Sequence, residues 1–257
     1  MTTRLFMVIS LGSLLIVLSL PGYAGWQDWF KLDSGKDAVS TDTKPSTTKS
    51  TSANNLTNSD VVGGLKEALQ KATQYAVSNL GAENGFLNNQ RVRIPMPGSL
   101  QKVESTLRSL GASKYADEFV ETMNHAAEKA IVKAAPIFTK AVSEMSFEDG
   151  MKILKGADNA ATEYFRSKTE NNLSEQMLPI TKQMTDSSGV TSSYKTMIDK
   201  LGFAKSLVGE QNVDLDQYVT QKAVDGLFVM VAEQEKNIRK NPVEQTTNLL
   251  KKVFGSL

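Results

Sequence analysis

From Asp60 to the C-terminus, apolar residues recur at spacings of three and four, with few β-branched runs. That is the period of α-helices buried on one side. Leu65, Leu69, Ala72, Ala76 and Leu80 form the stripe of a first helix. Ser59 or Asp60 is placed to cap it and Gly81 to close it. Pro97-Gly98-Ser99 starts a second helix, with Leu100, Val103, Leu107 and Leu110 inward and Gly111 as its stop.

The longest pattern runs from about Ser113 to Met145. Tyr115, Phe119, Met123, Ala126, Ala130, Ala134 and Phe138 step along one face, and Val120, Ala127, Ile131 and Val142 widen it. So wide an apolar arc predicts a central helix of a bundle. Pro136 is expected to kink or split it. Ser146-Phe-Glu-Asp149 has the form of a capping box for a short helix to Leu154. A helix from Asp158 carries Ala161, Tyr164 and Phe165 inward, with boundaries expected at Pro179 and at Ser187-Ser188-Gly189. Another starts near Ser192 with Tyr194, Ile198 and Leu201. A long helix capped between Asn212 and Asp216 ends at Asn241-Pro242, and a last one carries Leu249, Leu250, Val253 and Phe254. The expected fold is all-α, a single bundle of about eight or nine helices over residues 60–257.

One stretch breaks the period. Residues 84–97, NGFLNNQRVRIPMP, hold an Asn-Gly turn signal, a polar–apolar alternation through Arg91-Val92-Arg93-Ile94, and two prolines. They predict either an extended loop or a short strand.

The N-terminus follows other rules. Arg4 precedes a run of 16 largely apolar residues, Leu5 to Leu20, followed by small residues at Gly22 and Ala24. This has the form of a cleaved signal peptide, residues 1–24, cut between Ala24 and Gly25. The expected location is therefore periplasmic or secreted, with no transmembrane helix after cleavage. In residues 25–32, Trp26, Trp29 and Phe30 share one face of a helical turn and are a candidate interface anchor. Residues 33–59 follow, 12 of 27 being Ser or Thr, which reads as a disordered linker.

Composition narrows the chemistry. The chain of 257 residues has no Cys and one His, His125. Disulfides, thiolate metal sites and Cys nucleophiles are excluded, and a Ser-His-Asp triad would have to pass through a mid-helix His125. The 29 basic and 28 acidic residues give no excess for nucleic-acid binding. No phosphate loop, nucleophile elbow or calcium loop is present in the sequence. Lys236, Arg239, Lys240, Lys251 and Lys252 read as a solvated basic face. No cofactor, metal or catalytic residue is assigned.

One polar cluster stands out. Asn124 and Glu128 are i, i+4 neighbours beside the apolar arc of the central helix, so partial burial is expected. A buried carboxylate needs a partner, and Arg166 and Arg93 are the candidates. The cluster Asn124, Glu128, Arg166 and Arg93 is either a ligand or acid–base site, or an ion pair holding helices in register.

Several stretches carry a resemblance. They are Gly64-Leu-Lys-Glu-Ala-Leu69, Asn84-Gly-Phe-Leu87, Val92-Arg-Ile-Pro-Met-Pro97, Met123-Asn-His-Ala-Ala-Glu128 and Met145-Ser-Phe-Glu-Asp-Gly150. Ile153-Leu154, Ala160-Ala-Thr-Glu-Tyr-Phe-Arg-Ser-Lys-Thr169, Gly226-Leu-Phe228, Glu235-Lys-Asn-Ile-Arg239 and Pro242 complete the series. Over about residues 60–255 the chain resembles the bacterial domain-of-unknown-function 4197 family. At position 125 it has His where the family pattern favours Arg. The resemblance implies an exported, mostly helical protein and no established reaction.

The leading expectation is an exported, non-enzymatic helical domain that binds a partner protein or an apolar small molecule, the partner being an envelope protein or a lipid-like ligand. The alternatives are an enzyme using Glu128 with Arg166, and membrane-interface tethering through Trp26, Trp29 and Phe30.

Overall fold

A computed structural model describes residues 56–146, 148, 150–208 and 213–255. The leader, Trp26, Trp29, Phe30 and nearly all of the Ser/Thr-rich segment lie outside the described residues. So do Phe147, Asp149 and Asn212, and with them the acid of the expected Ser146–Asp149 capping box.

Among the described residues the fold is all-helical and contains no strand. The helices are α1 (Asn58–Leu80), α2 (Gln101–Ser109), α3 (Ser113–Glu144), α4 (Gly150–Leu154) and α5 (Ala160–Ser187). They continue with α6 (Val190–Asp199), α7 (Lys205–Val208), α8 (Leu215–Lys240) and α9 (Asn248–Phe254). Short 3-10 turns at Gly98–Leu100 and Gly202–Ala204 lead into α2 and α7.

The central position expected of the third helix is observed. α3 packs on α1, α2, α5, α6 and α8. Phe119, Met123, Ala126, Ala127, Ala130, Ile131, Ala134, Phe138 and Val142 are sealed from solvent along it. Phe165 of α5 meets Phe228 of α8 edge-on with ring centroids 5.6 Å apart, closing the α5–α8 seam.

Two expected breaks do not occur. α3 runs through Pro136 and α5 runs through Pro179. Both prolines are exposed, while Ala134, Phe138, Met177 and Thr181 on either side are buried. On a solvent-facing side the carbonyl deprived of its N–H partner can turn to water, and packing of the opposite face keeps the helix continuous, so the split expected as one alternative at Pro136 is absent. Leu110, expected inward, is 48% exposed. α2 has ended before it, and the chain turns at Gly111 with φ +69°.

α1 begins earlier than expected, inside the stretch assigned to the linker. Its N-cap is Thr57 rather than Ser59 or Asp60. The Asp60 N–H donates to Thr57 Oγ1 at 3.1 Å, and the Thr57 N–H donates to Asp60 Oδ2 at 2.9 Å, a reciprocal capping box. Asp60 Oδ2 also accepts from Lys252 Nζ of α9 at 2.7 Å. A few residues on, a Cβ on Gly64 would stand 2.7 Å from Val253 Cγ2, so α9 lies directly on α1. First and last helices are thereby joined by a close approach, a cap and an ion pair.

The Lys252 hydrogen bond, and then those from Thr57, hold the Asp60 carboxyl well below the usual carboxylate range. A carboxyl whose folded value is depressed contributes stability above its unfolded value, near 4, and loses that contribution as pH falls through the folded value. Asp60→Asn is therefore expected to flatten the acid limb of stability below about pH 4. Thermal unfolding followed across pH tests this; an unchanged acid limb would exclude a part for the α1–α9 pair.

Candidate functional site

Loop 84–97 connects α1 to α2 across the side of the bundle. It turns at Asn84, with φ +60°, and at Gly85. The alternation in the sequence is real: Val92 and Ile94 are buried while Arg91 and Arg93 are exposed. Yet no strand forms. The hydrogen-bond partner that a second strand would supply comes from a side chain of α3.

Asn124, fully buried, makes two bonds to Ile94. The Ile94 N–H donates to Asn124 Oδ1 at 2.8 Å, and Asn124 Nδ2 donates to the Ile94 carbonyl at 2.9 Å. Nδ2 also donates to the Val120 carbonyl at 2.7 Å, one turn back on α3. One turn on, Glu128 is 6% exposed. Its Oε1 accepts from the N–H groups of Phe86 at 3.2 Å and Leu87 at 3.5 Å. His125, between them in sequence, places Nε2 3.3 Å from Asn84 Oδ1. Asn124, His125 and Glu128 thus all turn to the loop.

α8 receives the loop from another direction. A Cβ on Gly226 would lie 2.8 Å from Phe86 Cε1 and 3.3 Å from Val92 Cβ, so only glycine admits the loop this closely. Tyr218 donates its hydroxyl to the Pro95 carbonyl at 3.0 Å, and burial raises its phenol above the ordinary value.

The expected partners of Glu128 are corrected. Arg166 does not face it: its guanidinium takes Glu170 of α5 at 2.9 Å and Asp225 of α8 at 2.6 Å. Glu170, first among its neighbours, raises the Arg166 value, and Arg166 in turn lowers that of Glu170. The Arg166 side chain remains about a third exposed, so this is a surface pair joining α5 to α8. Arg93 points to solvent. Of the proposed cluster the structure brings together Asn124 and Glu128, and it supplies Glu128 with backbone N–H donors in place of a cation.

A second buried polar centre went unread in the sequence. Glu235 is fully buried and Arg239, expected on a solvated basic face, is 9% exposed. Glu235 accepts from the N–H groups of Ala161 at 3.0 Å and Thr162 at 2.8 Å, the first turn of α5. It also accepts from Thr162 Oγ1 at 2.6 Å. Arg239 Nε donates to Glu235 at 2.9 Å, while Nη1 and Nη2 donate to the carbonyls of Leu154 at 2.8 Å and Ile153 at 3.3 Å, where α4 ends. The acid sits at a helix N-terminus and the base at a helix C-terminus, each where the end charge of the backbone favours it. The missed signal was spacing: 228, 231, 235 and 238 step by three and four along α8, which placed Glu235 on the inner face.

Two surface grooves lie among the described residues. One, about 360 Å³, lies between the end of α3 and α5 and is bordered by Glu144, Met145, Tyr164, Lys168 and Asn172. The other, about 420 Å³, lies between α1, α8 and the α8–α9 connection, with Lys71, Tyr75, Gln234, Ile238 and Glu244 on its walls. Both are open and mixed in polarity; neither is the crevice of Phe, Met and Leu that an apolar small molecule would need. Among the described residues no group of acids and His is arranged to hold a metal, and no helix is long and apolar enough to cross a membrane.

Comparison with known proteins adds one result. A family model with the description "Protein of unknown function (DUF4197)" matches residues 55–255. Neither a curated protein nor a solved structure matches the chain.

The two buried centres give two stability predictions. Asn124→Ala strands the N–H and carbonyl of Ile94 in the core and should cost about 2–4 kcal/mol in urea unfolding, against about 1 kcal/mol for Glu128→Gln, which keeps an acceptor for Phe86. Equal costs would show that the loop is not held at Ile94. Glu235→Ala should cost about 3–5 kcal/mol because it leaves Arg239 buried and uncompensated. Glu235→Ala with Arg239→Met should cost less than the sum of the single changes; strict additivity in the double-mutant cycle would refute the coupling.

Proposed function

We propose that this chain, which belongs to the DUF4197 family, is an exported helical domain that works by docking through its surface and not by catalysis. The observation that supports this above all others is where the buried polar groups go. Asn124, Glu128, Glu235 and Arg239 all bond to backbone groups of the same chain. A general acid or base needs a proton or lone pair aimed at a substrate position, and these four are committed elsewhere. The enzyme alternative placed Glu128 and Arg166 in one cleft, whereas Arg166 is engaged by Glu170 and Asp225.

The outside of the molecule supplies the other half of the case. Phe203 is 85% exposed and Val243 is 80% exposed. Such groups gain free energy when covered, by roughly 1.5–3 kcal/mol for full burial of a large side chain. Export itself rests on the leader-like pattern of residues 1–24.

The test is site-specific photo-cross-linking in cells that export the protein. A photoreactive amino acid at position 203 or 243 is expected to give a discrete adduct, and one at exposed Lys182 is not. The protein recovered from the envelope is expected to begin at Gly25 by intact mass. Adducts to neither protein nor lipid at both apolar positions would overturn docking, and an intact leader on cytosolic protein would overturn export.

A further inference from the structure

Building on the docking role above, we propose that the corner carrying Phe203 binds the surface of an anionic phospholipid bilayer. The corner is the 3-10 turn Gly202–Ala204 between α6 and α7. Gly202 sits at φ +53°, and a Cβ there would meet nothing within 4 Å, so the turn stands open to solvent. The backbone on either side of Phe203 is packed. Its neighbours Leu201 and Ala204 are 1% and 2% exposed, and the Ala204 N–H donates to the Leu201 carbonyl at 2.9 Å. The chain is pinned on both sides of a phenylalanine that is itself 85% exposed.

Lysines outnumber acids around it. Lys200 Nζ lies 5.1 Å from the centre of the Tyr115 ring, and Lys114 Nζ lies 4.9 Å from the same ring. This shared ring brings the start of α3 beside Lys200, three residues before Phe203. Lys205, also exposed, opens α7. Over residues 110–117 and 195–206 the chain carries four lysines, Lys114, Lys195, Lys200 and Lys205, against Asp117 and Asp199. Asp117 pairs at 2.8 Å with Arg108, which also holds Glu104 at 2.8 Å.

Shape decides between lipid and protein. Phe203 is 85% exposed and lines neither of the two grooves described above. A projecting aromatic with ammonium groups set around it suits a fluid interface, which closes around the ring while the lysines reach lipid phosphates. A protein partner would have to bring a preformed pocket to a single ring.

The chain offers its own probe. Its two tryptophans are Trp26 and Trp29. In the full mature chain, Trp26→Phe and Trp29→Phe with Phe203→Trp leave one reporter at the corner. Its emission is expected to shift to the blue on vesicles of phosphatidylcholine containing phosphatidylglycerol and to stay unshifted on phosphatidylcholine alone. Lys200→Gln and Lys205→Gln should each weaken the vesicle affinity about fivefold. No shift on the anionic vesicles at low salt, or an equal shift on neutral ones, would overturn the proposal. A protein adduct at residue 203 in the cross-linking experiment without a lipid-induced shift would remove the lipid and leave the docking role. Neither adduct nor shift at 203, with none at Val243, would remove both.

Discussion

A backbone amide or carbonyl shut away from water must find a hydrogen-bond partner, and that requirement shapes this molecule more than any single contact in its core. A helical bundle meets it automatically inside its helices. It fails wherever a helix ends in the interior or a non-helical segment is pressed against the core. This chain does both. Loop 84–97 is laid against α3 and α8 with Ile94 fully buried, and α4 hands over to α5 beneath α8. In each place side chains supply what secondary structure cannot: Asn124 and Glu128 for the loop, Glu235 and Arg239 for the helix ends.

The choice of residue type follows from the groups to be satisfied. Ile94 presents a donor and an acceptor side by side, and an amide side chain is the one that returns both. Phe86 and Leu87 present donors alone, and a carboxyl oxygen accepts both. At the α4–α5 junction the carbonyls of Ile153 and Leu154 and the N–H groups of Ala161 and Thr162 need opposite partners, so a base and an acid one turn apart on α8 serve them together. A buried ion pair alone is weak support for stability. Here each charge also bonds to a helix end whose partial charge is of opposite sign, and this offsets desolvation that the pair alone would leave uncompensated.

The sequence disclosed these devices unevenly. Helix existence was legible because each stripe, such as Leu65 to Leu80, repeats with the helical period. Asn124 and Glu128 were legible as polar positions beside an apolar arc, but their partners were not, since a backbone N–H leaves no mark in a sequence. Charge matching pointed to Arg166, and proximity to Asp225 and Glu170 decided otherwise. Arg239 was hidden among Lys236, Lys240, Lys251 and Lys252, whose company suggested solvent; its position on the inward stripe of α8 was the better guide. The prolines misled for a related reason. Pro136 and Pro179 lie on outward faces, where a missing N–H is tolerated, and residue type alone does not carry that information.

The same constraint bears on function. Polar side chains in a helical core are either bonded within the fold or held ready for a ligand, and a group that is fully bonded to fixed backbone is not ready. At its two buried centres this chain has taken the first course, and the loop, α4 and α5 are rigidly placed as a result. The same bonding reaches towards the surface: the turn that carries Phe203 is anchored by Leu201 and Ala204, α6 is tied to α3 by the Thr122–Ser193 hydrogen bond at 2.8 Å, and α3 carries the clamp on loop 84–97. Packed and hydrogen-bonded elements therefore run from the satisfied interior to Phe203, the large hydrophobic side chain left most exposed among the described residues, and the docking proposed for this corner draws on that support.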